Sequence, residues 1–365
     1  MSHPRVEALP DAREAASRGV VVLDRPDRVR LAVRGRAPQQ MLTGILSGTM
    51  SPDLEEVELG VRRARAHAHT VLTPKGKLVT DLLLHRLENG PEGGFLLDLP
   101  AVGLEPLLDH FTRYLPPRMA KAEPCTEAIG HLTLVGPDAA HLLSREALGL
   151  RVEAETLEAM AEGEGRVLDD GTPVGIRVTR GGEAVPPSFE IHAEAGVITP
   201  LRDRLLAGGA VEGSDALRTL LRMERGRPEF GVEIDRDTLP PEAGLDPRAI
   251  DHGKGCYTGQ EVVVRIRDRG RVNRKLRGLL LGEGPLPEVG EEIWVEGRDR
   301  SAGEVRSVAY SLHFGQGIAL AMVRREAEPP TQVHLGGPDG PVVEVRALRD
   351  EGWDVVEGDL PEAAG

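Results

Sequence analysis

Three features of this 365-residue chain predict an α+β architecture followed by an all-β barrel. The chain is longer than one ordinary domain. A strand–glycine–helix unit occurs twice, as LAVRGRAPQQML at 31–42 and LTLVGPDAAHLL at 132–143, with Leu31 matching Leu132, Gly35 matching Gly136 and Met41-Leu42 matching Leu142-Leu143. From Lys275 onward, short apolar segments alternate with Gly and Pro turns at the spacing of a small barrel. The repeat implies two similar halves within one interleaved structure.

Residues 1–18 are polar and read as a flexible segment, apart from a short helix at 11–17. Gly19-Val20-Val21-Val22-Leu23 is an apolar run of strand type. In 29–35 the apolar residues Val29, Leu31 and Val33 alternate, which predicts a half-buried strand; Gly35 ends it and 37–46 reads as a helix. Residues 69–100 read as antiparallel strands near 69–73, 77–87 and 95–99, with turns at Pro74-Lys75-Gly76 and Asn89-Gly90. Helices are expected at 101–114, 199–208 and 215–224, and a strand at 189–193. The 215–224 helix groups Leu217, Leu220, Leu221 and Glu224 on one side and stops at Gly226-Arg227-Pro228. The segments LRGLLL, EEIWVEG, AGEVRSVAY, GIALAMV, TQVHLGG and PVVEVRAL supply the barrel. The expected domains are 19–275, then the barrel at 276–350, then a tail at 351–365.

Composition narrows the class of function. The 45 basic and 59 acidic side chains leave a net charge of −14, which opposes the phosphate neutralisation behind nonspecific nucleic-acid binding. Direct nucleic-acid binding is therefore not expected. Two cysteines, Cys125 and Cys256, do not make a disulfide framework, and a reducing compartment is expected. No apolar run approaches the ~20 residues of a membrane span. The first residues lack the apolar core of a signal peptide, so the expected location is the cytoplasm. His67 and His69 form an H-x-H pair, but nothing nearby completes a ligand set, so no metal is expected. An intrinsic iron–sulfur cluster is not expected either, because the cysteines supply no cluster-binding motif.

The most informative stretch is His252-Gly-Lys-Gly-Cys-Tyr-Thr-Gly-Gln-Glu261. Thr258 and Glu261 have the spacing of a capping box ahead of the apolar run at 262–264. Cys256 would then stand just before a helix N-terminus with Lys254 two residues away, and both favour a thiolate. The plain alternative is a glycine-rich turn with an ordinary buried cysteine. The arginines at 265, 267, 269, 271, 274 and 277, with Lys275, read either as a solvated face or as a patch for an anionic tail or partner.

The string KGCYTGQE resembles the signature of the YgfZ family of folate-binding proteins, within the glycine-cleavage T-protein (aminomethyltransferase) superfamily. LPPEAGLD at 239–246, the Arg-x-Glu-x-Gly element at 222–226 and RGRVNRKLRGLLL at 269–281 extend the likeness over about 19–350. It implies the T-protein fold: two interleaved α+β domains and a C-terminal barrel in a three-domain ring. It implies tetrahydrofolate or a derivative as cofactor, with Glu224 on the pterin and Lys254, Tyr257, Gln260 and Arg227 also binding the cofactor. Cys256 and Asp81 would be the reactive residues. The implied role is assembly or repair of iron–sulfur clusters in client enzymes, tRNA-modifying ones included, with iron–sulfur client proteins or assembly factors as partners.

Within the T-protein Gly-Gly-x-x-Asp-Asp hairpin, Asp81 matches the second aspartate, Thr80 replaces the first and Lys77 replaces a glycine. Ala68 stands where those proteins carry a tyrosine. These departures argue against classical aminomethyl turnover, although Asp81 keeps a folate-dependent aminomethyltransferase open as an alternative. A non-catalytic folate-binding module is the third reading.

Overall fold

The computed structural model describes residues 5–6, 10–145, 148–282, 284–349 and 352–354, so most of the expected tail lies outside the described residues. The chain packs as two compact units. One comprises Glu14–Ser214 with Arg248–Gln260; the other comprises Met1–Arg13, Asp215–Pro247 and Glu261–Gly365.

The first unit holds two mainly antiparallel sheets. In the five-stranded sheet the order is His67–Leu72, Leu78–Arg86, Phe95–Pro100, Arg28–Gly35, Ala120–Pro124. Five strands of the eight-stranded sheet follow the same plan: Glu164–Leu168, Ile176–Arg180, Ser188–Glu194, Ile129–Val135, Val21–Asp24. The sheet continues to Val211–Glu212 beyond one end, and to Val61–Arg65 and Glu55–Glu58 beyond the other. Arg28–Gly35 and Ile129–Val135 are the strands of the sequence repeat. Each is completed by the strand that precedes the other. Val21–Asp24 pairs with Ile129–Val135, while Ala120–Pro124 pairs with Arg28–Gly35. The halves are thus interleaved by a reciprocal exchange of strands.

The repeat glycines mark this exchange. Gly35 and Gly136 have φ of +150° and +140°. A Cβ on either would collide with a backbone carbonyl at the start of the exchanged strand, Met119 O for Gly35 and Gly19 O for Gly136. Each is followed by a short helix, Pro38–Thr43 or Ala139–Leu143. Apolar cores lie against each sheet: Leu31, Val33, Phe95, Leu97 and Leu107 on one, Leu132, Leu134, Phe189, Ile191 and Leu201 on the other.

The second unit carries the barrel. Its strands are Arg274–Leu280, Glu292–Trp294, Gly303–Ser311, Gln316–Arg324, Thr331–Leu335 and Val342–Arg346, and they correspond to the six expected segments. Pairing of Gly303–Ser311 with Gln316–Arg324 closes the ring. Arg5–Val6 adds a parallel strand to Gly303–Ser311. The first residues, read as flexible around a short helix, thus contain this strand and a nine-residue helix at Pro10–Arg18. The helix Asp215–Glu224 has the expected bounds, and every residue from Leu217 to Glu224 is buried. No described helix is long and apolar enough to cross a membrane.

Candidate functional site

In the first unit the two sheets meet through charged and polar side chains. The strands Ile129–Val135 and Ser188–Glu194 are apolar on one face and carry His131, Thr133, Glu190 and His192 on the other, all buried. Asp98, within FLLDLP, reaches them from the five-stranded sheet. Arg28 Nε donates to Asp98 Oδ1 at 3.0 Å, and His192 Nε2 lies 3.3 Å from Asp98 Oδ2. His131 Nε2 lies 2.7 Å from Glu190 Oε2, which also accepts from Thr133 Oγ1 at 2.7 Å. Burial holds the His85, His131 and His192 imidazoles below their ordinary pKa. Burial opposes ionisation of Asp98, but Arg28 and the two histidines outweigh it, and its pKa falls well below the carboxylate range. Burial pushes Glu190 up to about 7 despite Arg25.

Sequence reasoning missed this seam because its members are scattered. The available signal was polar residues at every second position of strands whose other face is apolar. Donor atoms of His85, Asp98 and His192 lie within 4.8 Å of one another. Arg28, already on Asp98, and the nearby Arg177 make this a poor setting for a further cation.

Asp81 lies on the Leu78–Arg86 strand of the same unit. The residue is half-buried, yet its Oδ1 is inaccessible and has no hydrogen-bond partner. Burial raises its pKa, against the pull of Arg28. Such an oxygen keeps unused capacity to accept a hydrogen bond. Thr80, its neighbour, is buried, and its Oγ1 lies where a Cβ on Gly103 would collide. The position of the family's first aspartate is therefore absorbed into packing.

The loop carrying KGCYTGQE is stitched to residues 44–49. Lys254 Nζ donates to Leu46 O at 2.6 Å and Gly48 O at 2.9 Å. Its pKa is lowered to about 8 by burial, with Asp251 opposing. Its ammonium stands 5.7 Å from the centroid of the buried Tyr257 ring. Asp251 takes Gly253 N at 2.8 Å and Thr49 Oγ1 at 2.9 Å. Cys256 is exposed, which answers the buried-cysteine alternative.

The expected capping box is not formed. The helix begins at Gln260, so Gly259, not Thr258, stands before it. Gly259 has φ +84° and packs so close to Thr73 O that a Cβ would sit at 2.6 Å, so only glycine fits. Thr258 N donates to Gly44 O at 3.1 Å instead. The Lys254 ammonium is likewise turned to two carbonyl oxygens. Burial raises the pKa of Cys125, with Arg30 and Arg34 pulling the other way.

Glu224 and Arg227 belong to the second unit. Glu224 is not on the helix surface, and its partner is Arg13, whose Nε donates to Oε2 at 3.0 Å. Oε1 accepts from Ser311 Oγ at 2.7 Å and from His313 N at 3.4 Å. The turn after the helix is fixed by Arg222, which donates to Arg227 O at 2.5 Å and holds Glu233 through both guanidinium ends at 2.9 and 3.0 Å. In the basic run, Arg274 pairs with Glu242, Arg267 with Asp268, and Arg277 with Glu328, while Arg265, Arg269 and Arg271 are exposed.

Comparison with known proteins gives a consistent picture. The family profile described as GCVT N-terminal domain matches residues 8–252, and the glycine cleavage T-protein C-terminal barrel domain matches 274–348. The aminomethyltransferase of Thermus thermophilus is 28% identical over 327 residues, 88% of this chain and 85% of that protein. That of Rubrobacter xylanophilus is 29% identical over 82% of this chain and 74% of that protein. That of Moorella thermoacetica is 30% identical over 68% of this chain and 66% of that protein. The crystal structure of glycine cleavage system aminomethyltransferase T from Bartonella henselae superposes with a TM-score of 0.76 at 19% identity, covering 94% of this chain and 90% of that one.

Proposed function

Because the chain belongs to the glycine-cleavage T-protein family, we propose that it binds tetrahydrofolate or a derivative and serves folate-dependent one-carbon transfer from an amine, with Asp81 receiving the amine. The observation that carries this reading is the partnerless, inaccessible Oδ1 of Asp81 on the hairpin where the family keeps a carboxylate. The names of the relatives support the same reading. When bound, tetrahydrofolate supplies the nitrogens that accept the one-carbon unit. Asp81, with its raised pKa, accepts an amine N–H or holds a proton at Oδ1. Incubation with an aminomethyl-loaded carrier protein and tetrahydrofolate should release methylene-tetrahydrofolate from the wild type. Asp81→Asn should reduce the rate by about 10²-fold or more. No product from the wild type overturns the reading, and Thr80 and Ala68 are then the departures responsible.

A second reading is favoured by Cys256. It stands exposed on a loop tied down by Lys254 and Asp251, in the string that resembles the YgfZ signature. Here the folate-bound protein assists assembly or repair of iron–sulfur clusters in client enzymes, and the thiol makes the contact. Client activity in cells that carry Cys256→Ser in place of the wild type should fall. Unchanged activity removes this reading.

A further inference from the structure

We propose that Arg13 is a latch on Glu224, occupying the ligand's place in the resting protein and withdrawing when a pterin binds. The proposal rests on the reading of Glu224 as the pterin's partner. Both side chains are closed to solvent, with 7% and 0% of Arg13 and Glu224 exposed. A pterin offers a carboxylate two parallel N–H groups on either side of one carbon, from its amino group and adjacent ring nitrogen. A guanidinium carries the same N–C–N edge. Arg13 presents one N–H of that edge, from Nε, to Oε2, and in that contact it stands in for the ligand. A buried carboxylate without a cation would be strongly destabilising, so the empty protein needs such a substitute.

The donors on Glu224 differ in how they are held. Ser311 lies at the end of the Gly303–Ser311 strand, registered opposite Gln316, and its Oγ also accepts from Phe314 N at 3.1 Å. It is fixed by the barrel. Arg13 comes from the Pro10–Arg18 helix and reaches Glu224 through one hydrogen bond from Nε. A long side chain on a short helix is the part that can leave without breaking a ladder. Its departure frees Oε2 while Ser311 still orients Oε1.

The test uses the full chain and 5-formyltetrahydrofolate, with calorimetry and hydrogen exchange. Arg13→Ala should bind about tenfold tighter than the wild type, because a closed state that masks the site lowers apparent affinity by the fraction that is open. Arg13→Lys, which keeps the cation, should stay nearer the wild type than Arg13→Ala does. In the wild type, saturation with the ligand should speed exchange of amides in 10–18. Glu224→Ala separates the two ideas. If it binds as tightly as the wild type, the pterin assignment itself fails. If it loses binding while Arg13→Ala binds equally or more weakly, Arg13 is an orienting partner and the latch is overturned. Unchanged or slower exchange in 10–18 on saturation overturns it as well, whether or not the variants fold.

Discussion

Cysteine reactivity shows how residue-scale chemistry depends on where a side chain is placed. The sequence suggested that a helix start and Lys254 would activate Cys256, but the helix begins after Gly259 and Lys254 serves two carbonyls. Exposure separates the two cysteines. Cys256 is open to solvent, whereas Cys125 is partly buried with its pKa raised. Mass-resolved alkylation at neutral pH should label Cys256 first, and faster labelling of Cys125 would contradict this ordering. Glu224 teaches the same lesson. Its place on the helix was legible from the Arg-x-Glu-x-Gly spacing, but its partner was not, because Arg13 lies 211 positions away in a segment of ordinary polar composition.

At the scale of elements, the strands with a clear alternation or a sharp turn were the readable ones. The hairpins across 67–100 and the six barrel strands follow from pattern alone. Ala120–Pro124 went unread because it is a polar edge strand, exposed along much of its length and ending in proline. The seam between the sheets was hidden for a different reason: its members come from separate strands and meet only after pairing. It also carries a pH dependence. His85, His131 and His192 have lowered pKa values in the fold, so below about pH 6.5 the unfolded chain binds protons that the native state refuses. Stability from these groups therefore falls as pH drops through that value. Glu190, raised to about 7, acts in the opposite sense, since the native state keeps a proton that the unfolded chain releases above its ordinary pKa. Three histidines against one glutamate make acid destabilising on balance. Arg25, Arg28 and Arg177 face the same seam and oppose any added positive charge. Urea midpoints should fall between pH 7 and pH 5.5, and His85→Gln should reduce the slope by up to about one proton. A midpoint that rises on acidification would show Glu190 to dominate.

The first unit is organised by the reciprocal exchange of strands, and the repeat is visible in the sequence at Gly35 and Gly136 even though the exchange is not. Sequence patterns report which face of a strand is buried, and they are silent on which strand lies beside it. The two glycines give a paired test. Gly35→Ala and Gly136→Ala each push a Cβ into the backbone of the incoming strand, and each should cost roughly 2 kcal/mol or more in chemical unfolding. If either variant is as stable as the wild type, the approach is looser than the geometry implies. The exchange also sets a schedule for a chain emerging from the ribosome. Val21–Asp24 is made well before its neighbour Ile129–Val135, which follows about 110 residues later. At cellular elongation rates this is a wait of about 5–20 s. Throughout that interval an apolar strand has finished synthesis with no native neighbour on that side, and it stays open to aggregation until that neighbour arrives.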